Sequence, residues 1–314
     1  MMCDGLRTFA THRGGPPRPP QRLSPPPPTL VALLVPLLLV FLSPSCSAAG
    51  TPLTLSEGRA ILDKWRPLVH GAVAVKLGEL NYQASVRLYS PAANQHVCGG
   101  AVISAWHVLT AARCFSYGAA LAPEAVFVVA GAVRRSALNE GDVETAVRKV
   151  VNIARHPEFS SREQRHDLAL LTLSTALPVE RLGRVGAVPL PVGGIRADLA
   201  STCVVSGWGN NTAQTAQDAD ALLSAEVPFV DREMCLQMFE PRVLPKGVIC
   251  TAHQKGGVGA CVGDTGGPLV CNGFLAGTVS WGSGCGANAR PTVYTSVVDH
   301  VEWVRAQMAS FEYY

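Results

Sequence analysis

Gly263-Asp264-Thr265-Gly266-Gly267-Pro268-Leu269-Val270 is the stretch on which the reading of this chain turns. It is a glycine-rich loop around a hydroxyl side chain, running straight into an apolar segment. The same texture fills the chain from about Val69 onward. Short apolar runs at Gln83–Leu88, Val108–Ala112, Ala125–Ala130, Leu168–Leu173, Cys203–Ser206, Leu222–Val227, Phe274–Val279 and Thr292–Val298 are broken by Gly, Pro, Asn and Ser. Repeated short strands with turn residues between them predict an all-β barrel or sandwich. The end differs. Val297, Val301, Val304 and Met308 recur at helical spacing with Asp299 near the start, which predicts a terminal amphipathic helix.

At 314 residues the chain has room for one large domain or two ordinary ones. A composition of 48% hydrophobic and 16% charged residues is far from that of a disordered chain. With a net charge of only +3 and no long Lys/Arg block in the second half, nucleic acid has no electrostatic footprint to bind. Residues 1–49 differ in kind from the rest. Arg7, Arg13, Arg18 and Arg22 sit among prolines, followed by apolar Leu30 to Leu42 and then small residues up to Gly50. This order describes a secretory signal peptide with a long basic lead, cleaved after Ala48 or Ala49. The competing membrane anchor needs ~20 apolar residues, and this run is short and interrupted by Pro36. A secreted, extracellular protein is therefore expected, with a short propeptide-like segment at 50–68 and one domain at 69–314.

Ten cysteines are present, of which Cys3 and Cys46 fall in the leader. The remaining Cys98, Cys114, Cys203, Cys235, Cys250, Cys261, Cys271 and Cys285 are an even set behind a signal peptide. That favours four disulfides. Structural zinc is the alternative, but no pair has the close spacing of such sites.

Six motifs then carry a family resemblance: Cys98-Gly-Gly-Ala-Val-Ile-Ser104, Thr110-Ala-Ala-Arg-Cys114, Asp167-Leu-Ala-Leu-Leu171, Gly207-Trp-Gly209, Gly263 to Val270 and Ser280-Trp-Gly282. In this order, between Val69 and about Ala309, the chain resembles a chymotrypsin-like (trypsin-family) serine protease. The resemblance implies two packed six-stranded antiparallel β-barrels with the active site between them, followed by a C-terminal helix. It also implies the pairs Cys98–Cys114, Cys203–Cys271, Cys235–Cys250 and Cys261–Cys285.

In such enzymes a hydroxyl attacks the scissile carbonyl, an imidazole takes its proton, and a buried carboxylate orients the imidazole. Here Asp167 matches the carboxylate, Arg113 stands at the base position and Thr265 at the nucleophile position. A guanidinium stays protonated at ordinary pH and has no lone pair to offer, so it is no general base. Neither His107 nor His166 matches a cleft-facing position; His107 reads as a core histidine and His166 as a surface one. Thr265 keeps a hydroxyl but lacks the N-terminal amine that activates nucleophilic threonines, and its β-methyl restricts χ1. Loss of the base or nucleophile costs roughly a million-fold in kcat in related chemistry. The N–H groups of Gly263 and Thr265 remain as an implied oxyanion hole. Arg113 either forms a buried bidentate ion pair with Asp167 or extends to solvent.

The resemblance also places Gly259 at the floor of the specificity pocket, with Ser280, Trp281, Gly282 and Thr292 around it. Such a pocket is shallow and suits a small apolar side chain. Val69 stands where family zymogens acquire a new N-terminus that pairs with Asp264. However, Leu68 precedes Val69 and Arg66 is followed by Pro67, so no conventional activation is expected. Asn210-Asn211-Thr212 is a glycosylation sequon. The acidic run 139–144 reads as a solvated turn, with Ala132 where a first calcium ligand would be expected, so no metal and no cofactor are predicted. The sequence thus predicts a secreted, monomeric pseudoenzyme that binds a protease, an inhibitor or a protease substrate, as a regulator, cofactor or decoy in a proteolytic cascade. A weak endopeptidase using Thr265 is the alternative.

Overall fold

The computed structural model describes residues 72–89, 95–116, 121–136, 145–179, 183–192, 202–209, 220–239, 243–253, 259–261, 263–282 and 290–311. All of them belong to the contact unit that spans 53–314. Val69, the 139–144 run, Asn210 and Cys285 lie outside the described residues.

Twelve of the thirteen strands among the described residues build two closed six-stranded antiparallel barrels. The first runs β2 (Gln83–Leu88), β3 (Gln95–Val102), β4 (His107–Thr110), β7 (Ala169–Leu173), β6 (Ala146–Arg155) and β5 (Val126–Ala130), with β5 returning to β2. The second runs β8 (Thr202–Gly207), β9 (Leu223–Val230), β10 (Val248–Thr251), β13 (Thr292–Ser296), β12 (Phe274–Gly282) and β11 (Pro268–Cys271). It closes through β11 on β8, and the short β1 (Val73–Ala74) adds to the edge of β9. Closure pairs every strand edge, the physical solution for a chain of many short strands. The "barrel or sandwich" ambiguity of the sequence pattern is thereby resolved.

Each barrel has its own apolar filling. Val86, Val102, Val108, Val128, Leu171 and Leu173 fill the first; Val205, Val227, Leu269, Val279 and Tyr294 fill the second. A third cluster, including Leu109, Leu168, Leu275, Val297 and Val304, joins strands of both barrels to the C-terminal helix Val297–Ala309. That helix starts as its sequence suggests, with the Ser296 side chain accepting from the Asp299 N–H at 3.3 Å. A second helix, Arg232–Phe239, was not anticipated. Its weak amphipathicity left no legible stripe, and the bond from Cys235 to Cys250 holds it against β10.

Disulfides Cys98–Cys114, Cys203–Cys271 and Cys235–Cys250 form as the resemblance implied. Cys261 is also disulfide-bonded. Between the barrels, the Ser206 hydroxyl of β8 donates to Gln83 Oε1 of β2 at 2.6 Å, and the Gly99 N–H of β3 donates to the Thr265 carbonyl at 2.8 Å.

Candidate active site

Arg113 sits on a one-turn 3-10 helix, Ala112–Phe115, directly after β4 and clamped by the Cys98–Cys114 bond. Asp167 precedes β7, the neighbour of β4 in the first barrel. Adjacent strands therefore deliver the two side chains to one place. Asp167 is fully buried, while the Arg113 side chain is 23% exposed.

The two residues form an ion pair, with a geometry more specific than a guanidinium fork. Arg113 Nε donates to Asp167 Oδ2, and the Arg113 backbone N–H donates to Oδ1 at 2.8 Å. Both carboxylate oxygens are thus held by one residue. The remaining guanidinium reach goes elsewhere: Nη2 donates to Ser280 Oγ at 3.1 Å, and the Ser280 hydroxyl donates to Asp167 Oδ2 at 2.6 Å. Thr295 Oγ1 adds a bond to the Asp167 carbonyl at 3.0 Å. Barrel two thus contributes one hydroxyl to the carboxylate, and a second to the backbone carbonyl, of an aspartate carried by barrel one. A buried carboxylate stripped of water needs this saturation.

Ser280 was read from the sequence as a wall of the specificity pocket; its hydroxyl is engaged with Asp167 and Arg113. Trp281 and Gly282 follow it on β12, opposite Val293 and Thr292 of β13. Trp281 packs on Phe239, with ring centroids 4.9 Å apart. Thr292 is buried. Gly259 borders a cavity of about 30 Å3 together with Ala72, Gly207, Gly209, Cys261 and Asp264.

Thr265 lies in the turn between Asp264 and β11, its carbonyl held by the Gly99 N–H. The next residue, Gly266, has φ +80°, and a Cβ there would come within 2.2 Å of Thr110 Oγ1 and 3.0 Å of the Ala111 nitrogen. The loop bearing Thr265 therefore packs directly on the strand end that leads to Arg113.

Asp264 points away from that cleft. Its carboxylate accepts from the Gly209 N–H at 2.7 Å and the Cys261 N–H at 2.8 Å. A Cβ on Gly207 would sit 2.0 Å from Oδ1, so the Gly207-Trp208-Gly209 motif leaves the space this carboxylate occupies. Burial pushes the Asp264 carboxyl up to about 6, against the lowering effect of its two backbone donors.

A relay that sequence reasoning missed supports the neighbouring loop. Arg87 Nε donates to Ser85 Oγ at 2.9 Å, Ser85 Oγ meets His96 Nδ1 at 2.8 Å, and His96 Nε2 meets the Gly263 carbonyl at 3.0 Å. A carbonyl only accepts, so Nε2 carries the proton and the Ser85 hydroxyl donates to Nδ1. Burial pushes His96 down to about 4, which keeps the ring neutral as the relay requires. The relay anchors Gly263, whose φ of +102° a side chain would resist. The only sequence signal was the position of His96 two residues before Cys98.

Among the two histidines considered as substitute bases, His107 is buried in β4 with Nδ1 2.9 Å from Ser104 Oγ, in keeping with a core role. His166 is not simply a surface residue. It is half-buried, and its Nδ1 lies 2.9 Å from Nε2 of His300.

A family model described as Trypsin matches residues 69–304. Trypsin I-P1 of Gallus gallus is 34% identical over 215 residues, 68% of this chain and 81% of that protein. Trypsin-3 of Salmo salar is 32% identical over 240 residues, covering 76% of this chain and 92% of its own length. Coagulation factor XI of Bos taurus is 33% identical over 231 residues, which are 72% of this chain but 36% of that protein. This chain belongs to the trypsin, or chymotrypsin-like S1, family of serine proteases.

Proposed function

We propose that this member of the family is a secreted, non-catalytic protein that acts by binding. The observation that carries the reading is the engagement of Arg113. Its guanidinium bonds to Asp167 and Ser280, so the carboxylate that would orient an imidazole is instead saturated by a cation. A general base must accept a proton within hydrogen-bond reach of the nucleophile, and a guanidinium offers no acceptor. Thr265 then has a hydroxyl without a partner able to activate it. The loop bearing Thr265 stays packed on β3 and the end of β4, and loops on a rigid scaffold carry recognition. The partner is a protein: a protease, an inhibitor or a protease substrate, met outside the cell. Disulfides and the signal-like leader support secretion. Among the described residues no helix is long and apolar enough to cross a membrane.

The test is labelling with a serine-hydrolase phosphonate probe, with and without forced cleavage before Val69. The natural protein is expected to stay unlabelled in both forms, and Arg113→His/Thr265→Ser to label once cleaved. Labelling of the natural protein at Thr265 would overturn the proposal and favour a weak endopeptidase. Failure of the double variant to label would show that the scaffold, and not only its two altered side chains, has lost the chemistry.

A further inference from the structure

Away from the cleft, three histidines from distant parts of the chain converge. His156 follows β6, His166 precedes Asp167, and His300 lies in the C-terminal helix. A candidate ligand nitrogen from each lies within 4.8 Å of the other two. The His156 and His166 rings stack with centroids 4.7 Å apart, and His300 meets both edge-on at 5.2 Å.

Proton placement shows what this arrangement lacks. His300 Nδ1 lies 2.6 Å from the Ser296 carbonyl, which only accepts, so Nδ1 carries the proton and Nε2 presents a lone pair. His166 faces that lone pair through Nδ1 at 2.9 Å and faces the Glu158 carboxylate through Nε2 at 3.3 Å. Both neighbours demand a proton, and a neutral imidazole has only one. A second proton on His166 would meet both demands. So would a cation in place of the Nδ1 proton, with Nε2–H donated to Glu158.

We propose that His156, His166 and His300 form a site for a divalent cation of the zinc class, with solvent completing the coordination. Two nitrogens bound to tetrahedral zinc at about 2.0–2.1 Å lie about 3.3 Å apart, so the pair now 2.9 Å apart needs to open by only a few tenths. The surroundings match those of ligand histidines, which donate their second N–H to a carboxylate or a backbone carbonyl; Glu158 and Ser296 fill these roles. His156 gives up at most a long contact, the Glu158 N–H to its Nδ1 at 3.3 Å. All-imidazole ligation suits zinc better than calcium or magnesium. Bound there, the ion takes the His166 Nδ1 lone pair while the ring's single proton sits on Nε2 facing Glu158, and it ties the end of β6 and the residue before Asp167 to the C-terminal helix. The inference does not depend on whether the cleft is catalytic.

The test uses the secreted chain without a histidine tag, stripped with chelator and titrated with Zn(II) by calorimetry. Co(II) absorption and thermal unfolding follow in parallel, with Ca(II) and Mg(II) as controls. One Zn(II) per chain at micromolar affinity or tighter is expected, with a raised Tm and a Co(II) band in the visible region. His156→Gln, at a partly exposed ring, and His300→Gln should each weaken binding at least tenfold. Glu158→Gln should weaken it roughly tenfold through His166. No saturable binding at 100-fold the micromolar range would overturn the proposal, as would equal affinity in wild type and His156→Gln.

Discussion

Two carboxylates, Asp167 and Asp264, are satisfied by different kinds of partner. Asp167 is saturated by a cation, a backbone N–H and a hydroxyl, all within one constellation shared by both barrels. Asp264 is less completely buried and is held by two backbone N–H groups, with no ion pair to it among the described residues, and desolvation raises its carboxyl to about 6. The difference shows that a carboxylate withdrawn from water is satisfied by whichever donors the fold supplies, a side-chain cation in one case and backbone N–H groups in the other. At Asp167 the partner is Arg113, whose guanidinium has no lone pair with which to accept a proton.

The sharpest way to break the contrast is Arg113→Ala. It leaves Asp167 buried without its cation and should cost about 3–5 kcal/mol, read as a fall in chemical or thermal unfolding midpoint. A change below about 1 kcal/mol, the value of an exposed pair, would mean that Ser280 and the backbone suffice and that the ion pair is incidental.

A second effect, of about 3 kcal/mol in each direction, lies in the pH dependence. Between about pH 4 and 6 the folded chain holds a proton on Asp264 that the unfolded chain has released. Its contribution to stability is therefore present at low pH and lost as pH rises through 6. His96 acts the other way. From about pH 6.5 down to 4 the unfolded chain takes up a proton that the folded ring refuses, so its contribution is lost as pH falls. His156 and His300, also lowered, add to the His96 side. Asp264→Asn should thus steepen the loss of stability on acidification, and His96→Gln should flatten it. Denaturant midpoints measured across pH 4–7 in the presence of chelator would decide; an unchanged slope in Asp264→Asn would remove the contrast between the two carboxylates.

The smallest effect sharpens the picture of Asp167. Ser280→Ala deletes one hydroxyl bond to an ionised group, expected to cost about 2 kcal/mol. In a double-mutant cycle with Arg113→Ala the two losses should be non-additive, since both side chains serve one carboxylate and one another. Strict additivity would place Ser280 outside the constellation.

Much of the fold was legible in the chain because a barrel announces itself locally. Gln83–Leu88 is a strand over the whole predicted run, and Val297, Val304 and Met308 face the core at the predicted spacing. The disulfides followed from motif order, since cysteine spacing alone does not choose among pairings. The helix Arg232–Phe239 escaped notice because its hold on the domain is a disulfide and a few contacts, which leave no periodic mark.

The sequence by itself determined that position 113 offers no proton acceptor. An arginine at position 113 has no lone pair in any fold, and that follows from side-chain identity alone. Where its guanidinium goes was decided only by tertiary structure: Asp167 lies 54 residues away and Ser280 167 residues away, and closure of both barrels brings them together. The same holds for the Ser85–His96–Gly263 relay and for His156, His166 and His300, the last two separated by 134 residues. Hydrogen bonds and ligand sets act over a few ångströms, and only packing converts distances along the chain into distances of that size.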